Sequence, residues 1–242
     1  MFFKRKKGGP LRSSFFIYYG FDKLESLKHY KQVVLQPNHY SSDELTLLKE
    51  NGTRPLAYLS LGEHFAAPGE QAVWQRPARN EDWNTQYVQA GHPAWRKHVR
   101  TSVSSYLDKG FEGFFLDTVE MVDVFPEDRS AMLSLIASLQ QLTAGMPLVV
   151  NRGFSLLPEL AGLVDAVLFE GFSTRWTSDG YEALSPDDLR WTQQVIKQVK
   201  RAGLTVYALD YSATPDLTSF ARQRAAVFGL ESLVSNRDLT EV

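Results

Sequence analysis

Apolar positions in this chain follow two alternating patterns. Short, near-continuously apolar runs stand at Phe15–Tyr19, Gln32–Leu35, Pro55–Ser60, Gly113–Leu116, Leu148–Val150, Ala166–Phe169, Thr205–Leu209 and Ser232–Ser235. Strands covered on both faces read this way, since neither face meets water. Helical stripes lie between several of them. Ser42-Asp43-Glu44-Leu45 opens a helix that Asn51-Gly52 ends. Pro93 starts another, with Trp95, Val99, Val103 and Tyr106 on one face as far as Gly110. Met132, Leu135, Ile136, Leu139 and Leu142 form a third stripe, stopped at Gly145. Ser185-Pro186 and Thr214-Pro215 each join an N-cap to a first-turn proline, and their helices run to Gly203 and Gly229. Proline near a start and glycine past an end is the asymmetry of real helices.

Eight strands alternating with helices predict an α/β fold, a (β/α)8 barrel, typically ~250 residues long. The first helix is expected to be short and the eighth truncated at Val242. A doubly wound open sheet is the alternative. It calls for a glycine-rich phosphate turn after the first strand, and Tyr19-Gly20-Phe21-Asp22 is not one. No repeat or linker divides the chain. The expected organisation is a basic tail over 1–12 and one barrel domain over 13–242.

Composition narrows the classes. With 43% apolar and 22% charged residues, the chain can bury a large core. No run of 18 apolar residues exists, so no membrane span is predicted. The absence of cysteine removes disulfides, thiolate metal sites and cysteine nucleophiles. The net charge of −2 hides an asymmetry, because Lys4, Arg5, Lys6, Lys7 and Arg12 precede any acid. Beyond residue 12, 21 basic side chains face 28 acidic ones, a balance unsuited to nucleic acid. The tail reads as a solvated terminus. It resembles the positive start of a signal peptide, but the expected apolar segment does not follow, so the residues leave the compartment unassigned.

In a (β/α)8 barrel the chemistry sits where strands end. Those positions hold Asp22, His39-Tyr40, Gly62-Glu63-His64, Asp117-Thr118 with Glu120, Asn151-Arg152, Glu170, Asp210-Tyr211 and Asn236-Arg237. Asp117 and Glu170 stand out, because each directly ends an apolar strand. Two carboxyl groups fixed over a low-dielectric floor can hold opposite protonation states, as glycoside hydrolysis requires. The competing reading is that each caps a loop or pairs with Arg152 or Arg237.

Absences discriminate further. No strand-end lysine is available for a Schiff base. No glycine-rich phosphate loop follows the last two strands, and no strand-borne His-x-His offers a zinc site. Asp117, Asn151 and Glu170 could supply oxygen ligands to magnesium, which keeps a lyase or isomerase as a lesser alternative. Two long loops carry Phe65, Trp74, Trp83 and Tyr87, and then Phe172, Trp176 and Tyr181. Flat rings there either stack on sugars or pin the loops to the barrel.

Three segments carry a resemblance. Ala57-Tyr58-Leu59-Ser60-Leu61-Gly62-Glu63, then Gly110-Phe111-Glu112-Gly113-Phe114-Phe115-Leu116-Asp117-Thr118-Val119-Glu120, and finally Phe169-Glu170 resemble the family 114 glycoside hydrolases. These are endo-α-1,4-polygalactosaminidase-like barrels related to the Pel polysaccharide hydrolase domain. The resemblance implies a secreted enzyme that cleaves galactosamine-rich polymer without metal or cofactor. It makes Asp117 and Glu170 the catalytic pair. Substrate binding is expected from Asp22, Tyr58, Glu63, Trp83, Glu120, Asn151, Trp176 and Asp210. Glu120 departs from the aspartate often found three positions after the catalytic-type aspartate. An acidic mouth would also attract a cationic, partly deacetylated amino-sugar polymer. A carbohydrate-binding barrel without catalysis is the alternative of a different class.

Overall fold

In the computed structural model, residues 13–65 and 72–241 are described. The basic tail 1–12 and Val242 lie outside them. The chain runs β1 (Ser13–Tyr18), α1 (Leu24–Leu27), β2 (Tyr30–Leu35), α2 (Ser42–Glu50) and β3 (Arg54–Ser60). Three short strands follow, β4 (Glu63–His64), β5 (Gln75–Asn80) and β6 (Thr85–Val88). Next come α3 (Pro93–Lys109), β7 (Phe114–Asp117), α4 (Arg129–Leu142), β8 (Leu148–Asn151) and β9 (Ala166–Glu170). The last elements are β10 (Thr174–Thr177), β11 (Gly180–Ala183), α5 (Pro186–Arg201), β12 (Thr205–Tyr211), α6 (Pro215–Val227) and β13 (Glu231–Ser235).

Eight strands form one sheet in the order β1-β2-β3-β7-β8-β9-β12-β13, every neighbouring pair parallel. They are the eight apolar runs of the sequence, curled into a nearly closed (β/α)8 barrel. Side chains alternate between the barrel interior and the helix layer, with Phe15 and Ile17 inward on β1 and Tyr207, Leu209 and Tyr211 inward on β12. The Phe15 and Tyr207 rings stack with centroids 4.2 Å apart, filling the barrel beside the β1–β13 seam. Among the described residues no backbone ladder closes that seam. The Glu231 carboxylate instead accepts the amide hydrogens of Ser14 (2.6 Å) and Phe15 (3.3 Å), and Tyr19 N–H donates to Leu239 O at 2.8 Å.

The predicted helices form behind their caps. Ser41, one residue earlier than the sequence reading, closes a capping box with Glu44 at the head of α2. Ser185 and Thr214 cap α5 and α6, and α3 ends on Gly110 at φ 113°. Two features depart from the expected plan. The β8–β9 connection, broken by Gly153 and Pro158, makes two 3₁₀ turns in place of an α-helix. The long segment after β3 folds as a small antiparallel sheet in the order β4-β6-β5. No described helix is long and apolar enough to cross a membrane.

Candidate active site

A cavity of about 590 Å³ opens at the carboxyl ends of the barrel strands. Its floor is Ile17, Phe115, Leu168 and Leu209, the last inward apolar positions of four strands. One step further along, the same inward positions carry Tyr19, Asp117, Glu170 and Tyr211, so strand alternation aims these groups into the cavity.

Asp117, Asn151 and Glu170 end β7, β8 and β9, three adjacent strands, which puts the amide between the two acids. Asn151 Nδ2 donates to Asp117 Oδ1 at 3.0 Å and to Glu170 Oε2 at 2.6 Å. From the flanking strands, Tyr58 of β3 donates its hydroxyl to Asp117 Oδ2 at 2.8 Å, and Tyr211 of β12 donates to Glu170 Oε1 at 2.5 Å. Burial first, and then the neighbouring carboxylate charges, push both phenols well above their ordinary value. They therefore stay protonated as fixed donors. Tyr19, with its ring 5.3 Å from that of Tyr58, is raised for the same reasons by burial, Asp117 and Glu170.

The turns beyond the strand ends are tense. Thr118 (φ 60°) and Arg152 (φ 53°) occupy the left-handed region without being glycine, a conformation that clusters at functional sites. The Thr118 conformation turns its N–H back onto Asp117 Oδ1 at 2.8 Å. Its hydroxyl oxygen accepts Gly62 N–H at 2.8 Å, which joins the loops after β3 and β7. Arg152 Nε lies 3.7 Å from Glu120 Oε1, and Glu120 Oε2 is buried without a partner. Although 35% of the Glu120 side chain is exposed, its carboxyl is poorly hydrated. Burial, and next the charge of Asp117, raise it to about 8 against the opposing pull of Arg152.

Glu63 is 8% exposed and takes Asn80 Nδ2 at 3.0 Å and Thr85 Oγ1 at 2.5 Å, both from the β5–β6 hairpin. Trp83, at the tip of that hairpin, also lines the cavity. Trp176 does not; it stands behind Arg237, whose guanidinium carbon is 3.8 Å from the Trp176 ring centre. Trp74 is an anchor, packed among His64, Trp95 and His98.

Besides Trp176, two more expected residues lie outside the cleft. Asp22 sits on an exposed turn, accepting the Tyr18 hydroxyl and pairing with Lys23 at 3.5 Å. Asp210 points away from the barrel interior and is fully buried, accepting the amides of Ser173 (2.5 Å) and Thr174 (2.8 Å). The apolar run stops at Leu209, but the ladder continues to Tyr211. Alternation from Leu209 selects Tyr211, not Asp210, as the inward group. Burial raises Asp210 to about 6, although both amides pull it down. A raised native value means the proton favours the fold, so this group's contribution declines as pH climbs from about 4 to about 6. Asp210→Asn is expected to flatten that decline in chemical unfolding across this range. An unchanged slope would show that the group titrates normally.

Asp117 and Glu170 form no ion pair with an arginine among the described residues, while Asp117 accepts the loop amide of Thr118 at 2.8 Å. Asn151 directs its amide nitrogen at both acids, so a hydrogen-bond donor fills the place a magnesium ion would take. Among the described residues, no three His, Asp or Glu side chains converge as metal ligands.

The glycoside-hydrolase family GH114 profile matches residues 25–242. Among solved structures, the glycoside hydrolase domain of PelA from Pseudomonas aeruginosa superposes with a TM-score of 0.84 at 30% identity, covering 97% of this chain and 98% of that one. Ega3 from Aspergillus fumigatus, solved with galactosamine, gives 0.71 at 13% identity over 94% and 92% of the two chains, a likeness of fold. An uncharacterized protein of Methanocaldococcus jannaschii is 24% identical over 71% of this chain. The chain spans 56% to 65% of the length of the curated relatives it matches. The chain therefore belongs to glycoside hydrolase family GH114.

Proposed function

We propose that this hydrolase cleaves an amino-sugar polysaccharide, galactosamine-rich by analogy with its relatives, using Asp117 as nucleophile and Glu170 as general acid and base. The observation that carries the reading is the shared Asn151 amide. Its two bonds, 3.0 Å to Asp117 Oδ1 and 2.6 Å to Glu170 Oε2, hold the two carboxylates close enough to flank a single glycosidic bond, as a double displacement requires. Three donors on Asp117 suit the group that must remain an anion until it attacks.

In the first step an Asp117 oxygen bonds to the anomeric carbon while Glu170 gives its proton to the departing glycosidic oxygen. In the second, Glu170 takes a proton from water, the water oxygen bonds to the same carbon, and the glycosyl–Asp117 ester breaks. Configuration is retained and Glu170 is again protonated. Tyr58, Tyr211 and Asn151 hold both carboxyl groups throughout. Glu63, beside the Asp117 carboxylate, gives the cleft an acidic character that suits a cationic sugar.

The test is release of reducing ends from an α-1,4-linked galactosamine polymer, with a neutral galactan as control. Selective release from the amino-sugar polymer is expected. Tight binding without turnover would favour the non-catalytic alternative.

Glu120 adds a pH dependence. Its proton leaves as pH passes about 8, placing a second charge beside Asp117. kcat/KM is expected to fall on that alkaline limb, and Glu120→Gln should remove the limb while leaving activity near neutrality. A limb that persists in the variant would assign it to another group.

A further inference from the structure

The Asp210 carboxylate lies outside the cleft, yet a chain of hydrogen bonds leads from it to Glu170. The ladder between β9 and β12 ends with Glu170 opposite Leu209, plus one further bond from Gly171 N–H to Leu209 O at 2.8 Å. At Gly171 (φ 68°) the chain turns away from the sheet, so the ladder stops before Tyr211. The Thr174 side chain takes its place. Its hydroxyl accepts Tyr211 N–H at 2.7 Å and donates to Tyr211 O at 2.8 Å, as a neighbouring strand would. Tyr211 then donates its own hydroxyl to Glu170 Oε1 at 2.5 Å.

Thr174 is itself held by Asp210. Ser173 and Thr174 are wholly buried, and both give their amide hydrogens to Asp210 Oδ1, at 2.5 and 2.8 Å. Asp210 Oδ2 is buried without a partner. The charged group facing it is Arg224 of α6, whose guanidinium is committed to Phe172 O, Leu189 O and Thr192 Oγ1. A buried carboxylate with one bare oxygen costs stability that an apolar side chain of similar size would not. What the charge supplies is a strong, fixed seat for two consecutive amides. The two reacting carboxyl groups depend on that seat unequally. Asp117 is held by Tyr58, Asn151 and Thr118 N–H, none of them on β12. Among the described residues, Glu170 has only Asn151 and Tyr211.

We infer that Asp210 is a positioning residue for Glu170: by seating the Ser173-Thr174 turn, it fixes the Tyr211 hydroxyl that aims the general acid and base. The inference rests on the proposed role of Glu170. Without the seat, Thr174 leaves the Tyr211 backbone, the phenol shifts, and Glu170 loses the alignment of one of its two donors. Asp117 keeps all three of its own. Proton transfer to the departing oxygen is then impaired while nucleophilic attack is preserved, because catalysis is sensitive to displacements of about 1 Å.

The experiment compares two substrates: an α-1,4-linked galactosamine polymer, and a galactosamine oligomer carrying an electron-poor phenol that departs without a proton. Asp210→Ala is expected to lower kcat on the polymer by roughly ten- to a hundredfold. Its first-turnover release of the phenol should stay within about threefold of wild type, since that step does not call on the general acid. Asp210→Asn keeps an acceptor oxygen for the two amides and should recover most of the polymer rate. Thr174→Val cuts the next link at nearly constant volume, should show the same split between substrates, and serves if Asp210→Ala folds poorly. Equal losses on both substrates, or an undiminished polymer rate in the folded variants, overturn the positioning role. Glu170→Gln that slows phenol release as severely as polymer cleavage overturns the reading of Glu170 beneath it, a separate result.

Discussion

Asp117→Asn and Glu170→Gln are each expected to lower kcat on polymer by roughly a thousandfold or more, with thermal unfolding little changed. Both substitutions keep the shape of the side chain and remove the chemistry. The double variant should be little worse than either single one, since the two groups act as a unit. Substrate choice separates their roles. An aryl glycoside with a good leaving group needs no proton for departure, so Glu170→Gln should keep much of its first-step rate on it. Asp117→Asn has no nucleophile and should fail on both substrates. The reverse pattern would exchange the assignments, and full activity in both variants would remove the pair from the reaction.

The second large effect is expected at a residue without a side chain. A Cβ on Gly62 would fall 2.1 Å from Thr118 O and 2.5 Å from Met121 Cγ. The nearer obstacle is backbone, held in the left-handed turn whose N–H is bonded to Asp117. Gly62 cannot retreat either, since its N–H is bonded to Thr118 Oγ1 and its carbonyl accepts Val88 N–H at 3.0 Å. Gly62→Ala must push the β3 and β7 loops apart. Destabilisation of about 2–4 kcal/mol is expected from such overpacking. A displacement of Asp117 near 1 Å would cost about a hundredfold in kcat/KM. Gly162→Ala, with nothing within 4 Å of the new methyl, is the control and should stay within about 0.5 kcal/mol of wild type. Equal behaviour of the two variants would refute the close approach of these loops.

What was legible in the chain follows from which forces leave local marks. The eight barrel strands were readable because both faces are dry, and Asp117 and Glu170 because each ends such a run. The β5 strand, Gln75-Arg76-Pro77-Ala78-Arg79-Asn80, carries the pattern of a loop. Its stability comes from pairing with β6 and from side chains such as Arg76, which bonds Asp128 at 2.6 Å, and neither leaves an apolar pattern. Tyr211 was passed over for Asp210 because a polar residue after an apolar run resembles a strand end. Counting inward positions by twos from Leu209 would have found it. The contact of Arg237 with the loop after β3 has no local signal, because Asp82 and Arg237 are 155 positions apart.

The seam between β1 and β13 has a consequence for motion. Held by the Glu231 side chain and the Tyr19–Leu239 bond where every other junction has a ladder, it is the place expected to yield first under thermal agitation. Asp117, Asn151 and Glu170 stand on the far arc, with three strands between the joint and β7 and two between it and β9. Breathing of the cylinder is expected to be taken up first at the β1–β13 joint, away from the reacting groups.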